Sequence, residues 1–251
     1  HAYVRCGCLI KARDLFEKLP VRNIVVWTVM VSGLVEYGLN KEALLYYHRM
    51  QEHVMCMDVG IFVCVLKACA GIGAMTSDGY AIHYEVVGRG LDSQYQPVSN
   101  CLIDMYAKCG LLCEAQILFE TLASRDVVSW NALMAGYAEH DLSSNVCDCF
   151  DKMQLNGVLP TSVTFVCILK SCENFNKGYE MHTVISKFGF DSNAFVGNTL
   201  VDLYMKLGLF IDAFSVFDAL SVPNAISWTA IIDRYADHDL GEEALYFLCK
   251  M

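Results

Sequence analysis

Small polar side chains recur in this chain at two kinds of place where their hydrogen-bonding chemistry needs a use. Asp58, Asp126, Thr161, Asn193 and Asn224 each stand immediately before an apolar helical stripe. There a side-chain oxygen can accept from the first unpaired backbone amides of a helix, so all five fit N-caps. Asn100, Asn131 and Asn198 fall inside such stripes instead. Asparagine has below-average helix propensity, and its carboxamide competes with the backbone for hydrogen bonds. An asparagine kept at such a position needs a reason.

Other chemistry-bearing residues lead away from catalysis. His83 and His182 recur on equivalent helical faces, but no general base, nucleophile or ligand recurs with them, so both read as packed, hydrogen-bonded histidines. His83-Tyr84-Glu85 matches the H-x-E half of a zinc deaminase signature, yet the chain has no P-C-x-x-C partner for it. The 13 cysteines are odd in number, and no two are spaced C-x-x-C, which argues against a zinc site. Cys69, Cys109, Cys167 and Cys172 lie on helical stripes, where a reduced thiol behaves as a small hydrophobe; a reducing compartment follows. No glycine-rich phosphate loop, nucleophile elbow or paired-carboxylate site stands out. The residues therefore predict no catalytic group, no metal, no cofactor, no small-molecule substrate and no enzyme activity.

The elements that carry these residues are helical hairpins. Trp130, Leu133, Met134 and Tyr137 fall at i, i+3, i+4 and i+7, on one helical face. Val146, Cys149, Phe150 and Met153 repeat the spacing on a second helix, which Gly157 and Pro160 stop. The pair recurs as Trp27, Met30, Val31 and Leu34 with Ala43, Tyr46, Tyr47 and Met50. It recurs again as Trp228, Ile231, Ile232 and Tyr235 with Ala244, Phe247, Leu248 and Met251. The three tryptophans are 103 and 98 residues apart, which leaves room for two further hairpins between each pair. Residues 24–58, 127–161 and 225–251 form tryptophan units, the last partial; 59–95 and 162–193 form units with Gly79 and His83 or Gly178 and His182. Residues 96–126 and 194–224 form short units, with Ser99 or Gly197 at the tryptophan position, and 1–23 is part of another. The second long unit is five residues shorter than the first, with the deficit between Cys172 and His182 and between Asp191 and Asn198, which predicts a tightened turn there. Gly38-Leu39-Asn40, Asp141-Leu142-Ser143 and Asp239-Leu240-Gly241 read as turns with good caps for the second helices.

Composition suits a stack of hairpins, with 55% hydrophobic residues and only 4 prolines. The longest apolar run, Ile24–Val35, is broken by Thr28, Ser32 and Gly33 and is too short to span a bilayer, so no membrane partner is expected. The formal charge of -10 argues against a nucleic-acid partner. The chain starts at His1 and ends inside a recurring helix, which suggests a piece of a longer array, with any targeting segment out of view.

Val127-Val128-Ser129-Trp130-Asn131-Ala132-Leu133, Leu102-Ile103-Asp104-Met105-Tyr106-Ala107-Lys108-Cys109-Gly110 and Phe62-Val63-Cys64-Val65-Leu66-Lys67-Ala68-Cys69-Ala70 resemble pentatricopeptide repeats. The alternation of three unit types resembles the plant PLS subclass, with standard (P), long (L) and short (S) repeats: partial S 1–23, P 24–58, L 59–95, S 96–126, P 127–161, L 162–193, S 194–224 and partial P 225–251. Tetratricopeptide repeats are the nearest rival, but their fixed 34-residue period does not fit units of 31 to 37 residues. The resemblance implies an all-α, right-handed superhelical solenoid of helix-turn-helix repeats. It implies a mitochondrial or chloroplast protein that binds single-stranded RNA for C-to-U editing or RNA processing, alongside editing-complex proteins, with any deaminase domain outside this span. One base would be read per repeat by two or three side chains.

In the family the reading positions are the fifth and last residues of each unit. Carried onto this sequence they are Thr28 with Asp58, Asn100 with Asp126, Asn131 with Thr161, Asn198 with Asn224, and Thr229 alone. The family's preferences then give G, U, a pyrimidine, C and a purine, with gaps at the long units, whose Val63 and Val166 cannot read a base edge. Second positions would flank the bases as Val25, Pro97, Val128, Phe195 and Ile226, of which only Phe195 offers an aromatic face. Arg5, Lys108 and Lys206, at the ends of first helices, are the phosphate candidates; Glu36, Glu139 and Asp237 hold that place in the tryptophan units and would repel phosphate. The rival reading is a protein-interaction scaffold that binds an editing cofactor or a peptide without specific RNA binding.

Overall fold

The computed structural model describes residues 2–53, 57–220, 225–237 and 240–251, with Ile226 described as backbone only. Every element among them is an α-helix. Asn224, the Ile226 side chain and Asp239, all named above, lie outside the described residues. The chain divides into two compact units, His1–Gly136 and Tyr137–Met251.

The first unit holds α1 (Ala2–Arg5), α2 (Leu9–Lys18), α3 (Ile24–Glu36), α4 (Asn40–Glu52), α5 (Val59–Ile72), α6 (Ser77–Gly88), the single turn α7 (Leu91–Gln94), α8 (Gln96–Lys108), α9 (Leu112–Thr121) and most of α10 (Val127–Glu139). Its first helices lie side by side, α3 against α5 and α5 against α8, while α4, α6 and α9 fold back on their own first helices. The second unit repeats the plan with α11 (Ser143–Leu155), α12 (Ser162–Lys170), α13 (Phe175–Lys187), α14 (Ala194–Lys206), α15 (Phe210–Ala219), α16 (Ala225–Asp237) and α17 (Gly241–Lys250). There α12, α14 and α16 are neighbours, with α13, α15 and α17 packed on them.

Apolar stripes close each hairpin. Trp27 and Trp130 are buried, and each meets a phenylalanine from the preceding second helix edge-on: Phe16 at 4.7 Å and Phe119 at 4.6 Å between ring centroids. Phe217 meets Trp228 in the same way at 4.9 Å. Such T-shaped pairs add about 1 kcal/mol to the burial itself. Arg22 and Arg125 lie over Phe16 and Phe119 and donate to the backbone carbonyls of those residues, which ties the end of each short hairpin to the next. At the tryptophan position of the short units, Ser99 is buried and donates to the Asp92 carbonyl, and Leu220 covers Gly197.

Two expectations are corrected. The polar residues at the second-helix starts are not the caps: Leu39, Leu142 and Leu240 hold the N-cap positions, without side-chain bonds. The turn is set from the helix before. Gly38 and Asp141 take left-handed φ of 72° and 56°, and the next leucine amide reaches back five residues, Leu39 to Leu34 at 2.8 Å and Leu142 to Tyr137 at 2.9 Å. This is the Schellman closure of a helix C-terminus, with an aspartate in place of glycine in the second case. Leu248 and Met251, placed on the apolar stripe of α17, are more than half exposed, because no described element packs on that side. In the shortened long unit, α12 ends at Lys170 after 9 residues where α5 runs for 14, and α7 has no counterpart among the described residues before α14.

Candidate nucleic-acid interface

The first helices carry the fifth-position residues. On α8, Asn100 is buried and its Nδ2 donates to Asp126 Oδ1 at 3.3 Å. The fifth and last residues of one short unit therefore meet. Asp126 caps α10: its Oδ1 also accepts from the Ser129 amide at 2.8 Å and the Ser129 hydroxyl at 2.7 Å. Burial pushes the Asp126 carboxyl up, but these bonds from Ser129 and Asn100 outweigh it and hold the group below its ordinary value. Gln96 completes the cluster, donating to Asn100 Oδ1 at 3.4 Å and to Ser129 Oγ at 3.2 Å.

Asn198 on α14 is bound in a related way, with its Oδ1 accepting from the Ser227 hydroxyl of α16 at 2.6 Å. Thr28 and Thr229 turn inward instead, donating to the carbonyls of Ile24 at 2.9 Å and Ala225 at 2.7 Å, four residues back on their own helices. Asp58 caps α5 through the Ile61 amide at 3.0 Å. Thr28 and Asp58 both border Gly60, where a Cβ would lie 3.8 Å from Thr28 Cγ2 and 3.3 Å from Asp58 Oδ1. Thr161 forms a capping box with the buried Thr164, and Asn193 caps α14 through the amides of Phe195 and Val196. Asn131 is buried on α10.

In the second unit these positions open onto a groove of about 490 Å3, lined by Lys170 of α12, by Asn198, Thr199 and Asp202 of α14, and by Ala225, Thr229, Ala230 and Asp233 of α16. Asn198 and Thr229, fifth residues on adjacent helices, thus share one open surface.

The flanking candidates are solvent-facing: Phe195 is 71% exposed, and Val25, Pro97 and Val128 are exposed as well. Of the phosphate candidates, Arg5 and Lys206 are exposed, but Lys108 is committed to Asp104 at 3.0 Å, an i,i+4 pair within α8. Glu36 and Glu139 are exposed, whereas Asp237 pairs with Arg234 at 3.1 Å. Arg234 also holds Asp202, at 3.1 Å.

His83 Nδ1 shares a hydrogen bond with Tyr106 Oη at 2.6 Å, and His182 Nδ1 with Tyr204 Oη at 2.8 Å. Both are internal packing contacts. Gln96, Ser129, Ser227 and Arg234 escape the sequence reading. Only the recurrence of Ser-Trp at 129–130 and 227–228 could have marked the two serines. No described helix is long and apolar enough to cross a membrane.

The family model of the PPR repeat matches residues 1–24, 25–53, 98–127, 198–221 and 226–251, and that of the PPR repeat family matches 125–174. A mitochondrial pentatricopeptide repeat-containing protein of Arabidopsis thaliana is 33% identical over 252 residues, covering 99% of this chain and 40% of that protein. A chloroplastic one from the same plant is 35% identical over 253 residues, covering 99% of this chain and 31% of that protein. The chain thus spans less than half the length of these relatives. Among solved structures, that of the pentatricopeptide repeat protein PPR10 in complex with an 18-nt psaJ RNA element covers all of this chain and 37% of that one, at 20% identity and a TM-score of 0.63. At that identity the likeness shows the fold, an all-α solenoid of helical hairpins.

Proposed function

Because this chain belongs to the pentatricopeptide repeat family, we propose that it is a sequence-selective adaptor for single-stranded RNA in mitochondria or plastids, serving RNA editing or processing, with one base read per P or S repeat. The observation that carries this reading is the Asn100–Asp126 hydrogen bond of 3.3 Å. It joins the fifth and last residues of one repeat at the edge of a first helix, so that the buried Asn100 carboxamide fixes the exposed Asp126 carboxylate as a polar edge. Such an edge can hydrogen-bond the edge of a single base splayed out of a flexible strand. The threonines suit a different readout. With their hydroxyl protons given to the helix backbone, Thr28 and Thr229 offer an oxygen acceptor only.

The repeat order P 24–58, L 59–95, S 96–126, P 127–161, L 162–193, S 194–224 belongs to this reading, as do the flanking roles of Val25, Pro97, Val128, Phe195 and Ile226 and the phosphate roles of Arg5 and Lys206; Lys108, held by Asp104, is the weakest of the three phosphate candidates. The organellar location is supported by relatives whose names call them mitochondrial or chloroplastic, and the RNA partner by the PPR10 complex. Editing-complex proteins are further partners under this reading.

Fluorescence anisotropy tests it, with an RNA carrying G-n-U-C-n-C-A against one in which U and both C positions become A. Tighter binding to the first, lost in Asn100→Ala or Asn198→Ala, supports base reading. A protein-interaction scaffold is the second reading, favoured by the charge of -10 and by exposed Glu36 and Glu139. Binding to neither RNA would favour the scaffold, or an array too short to hold RNA by itself.

A further inference from the structure

Val63 and Val166, at the fifth positions of the long units, offer a base no hydrogen-bonding group. Four residues on, one turn along the same helical face, each of these helices carries a lysine: Lys67 on α5 and Lys170 on α12. The same step from the other fifth positions gives Ser32, Asp104, Ala135, Asp202 and Asp233. The cations of this second ladder thus belong to the two units that cannot read, and its acids to units that can. Two of those acids are internally neutralised, Asp104 by Lys108 and Asp202 by Arg234. Lys67 and Lys170 are exposed and make no ion pair among the described residues.

Lys170 faces the short unit that follows, and Lys67 holds the same register on α5, which packs against α8. Lys170 lines the groove shared by Asn198, Thr199 and Thr229. Lys67 acts in the same direction on α8: burial raises the thiol pKa of Cys101, and the Lys67 charge works against that rise. Cys101 and Thr199 are both the sixth residue of their short-unit first helix, so the two lysines have equivalent neighbours. Asp233 is the acid left in the second groove, and Lys170 forms no ion pair with it, so the ammonium is not consumed as an internal counter-ion.

We propose that Lys67 and Lys170 are phosphodiester-contact residues, so that each long repeat, instead of reading a base, holds the RNA backbone as it passes toward the next short repeat. The inference rests on the RNA-binding reading above. Lysine suits the role as a compact point charge on a flexible stem that follows a phosphate without fixing a base. Such contacts position the strand and carry no sequence information.

The test uses the full chain with Lys67→Ala, Lys170→Ala, the double variant, and Lys187→Ala as a control that removes an equal charge from an exposed position on α13. Affinity for the G-n-U-C-n-C-A RNA and for its A-substituted counterpart is measured over a salt series. Removing Lys67 or Lys170 should reduce the slope of log K against log salt by about 0.7, the value for a single-strand phosphate contact, and the double variant by about twice that. The ratio of affinities for the two RNAs should stay unchanged, and Lys187→Ala should behave as the wild type. Circular dichroism melts should coincide for all variants, since both lysines are exposed. Slopes no different from the Lys187→Ala control, or a changed ratio between the two RNAs, would overturn the proposal while RNA binding stands. A wild-type chain that binds neither RNA at any salt would overturn the RNA-binding reading, and this one with it.

Discussion

The Ser227 hydroxyl donates to the Asn198 carboxamide oxygen at 2.6 Å, so the third residue of one first helix orients a side chain on the first helix before it. Ser129 occupies the equivalent place on α10 and joins the cluster of Gln96, Asn100 and Asp126. In both, the serine precedes a tryptophan whose ring is packed against a phenylalanine, so the orienting hydroxyl sits on a fixed backbone. The amide is therefore held in one rotamer before any partner arrives.

Ser227→Ala should loosen that amide without disturbing the hairpin. One hydrogen bond contributes about 1 kcal/mol. Under the proposed RNA reading, the preference for C over A at the Asn198 position should then fall roughly fivefold. Competition anisotropy with RNAs differing at that single base measures it, and Ser227→Thr should restore it. An unchanged preference would mean that Asn198 is oriented by its other contacts.

Asp126 gives a pH signature. Its carboxyl sits below the ordinary value because the Ser129 and Asn100 bonds outweigh burial. A depressed folded pKa stabilises the fold above the unfolded value, about 4, and that stability is lost as pH falls through the folded value. Asp126→Ala should therefore cost about 1 kcal/mol near neutral pH, the usual worth of a cap. Urea denaturation of both proteins should show the gap closing as pH falls below about 4. A gap that stays constant through that range would mean that the charge plays no part.

Much of the fold is legible in residue spacing, because stripes such as Trp27, Met30, Val31 and Leu34 must be buried and only helices bury that period. The starts of the second helices are less legible. Asn40 and Ser143 have the side chains of caps, but the turn depends on the left-handed backbone at Gly38 and Asp141 and the closure onto Leu34 and Tyr137, which residue type alone does not reveal. The candidate site divides in the same way. That Asn100 sits inside a helix is plain from the sequence. That its amide reaches Asp126, 26 residues on, depends on how two hairpins pack. The Asp104–Lys108 pair was present as an i,i+4 spacing and diminishes Lys108 as a phosphate contact.

His83 should make stability depend on pH nearer neutrality. Burial holds its imidazole below the ordinary value, with Asp92 acting weakly in the opposite sense, while burial pushes the Tyr106 hydroxyl up to about 12. The folded chain thus prefers the neutral ring. The stability from that preference is complete above about pH 6.5 and is lost as pH falls through the unfolded value toward the folded one. Thermal melts between about pH 7.5 and pH 5 should show the midpoint falling, and His83→Gln should flatten that fall. Equal slopes in the two proteins would place the titration elsewhere.

Two helical glycines should answer differently to the same substitution. A Cβ on Gly136 would lie 2.3 Å from the Cβ of Ala107 and 3.3 Å from its Cα, atoms that cannot move without moving α8. A Cβ on Gly197 would lie 2.4 Å from Leu220 Cδ2, the far end of a flexible side chain. Gly136→Ala should therefore force the two helices apart and cost about 1–3 kcal/mol, as overpacking does. At Gly197 the displaced leucine methyl opposes a gain of about 1 kcal/mol in helix propensity, so Gly197→Ala should be close to neutral. Urea midpoints of the two variants beside the wild type measure both effects. A Gly197→Ala loss as large as that of Gly136→Ala would mean that Leu220 is held as rigidly as the α8 backbone.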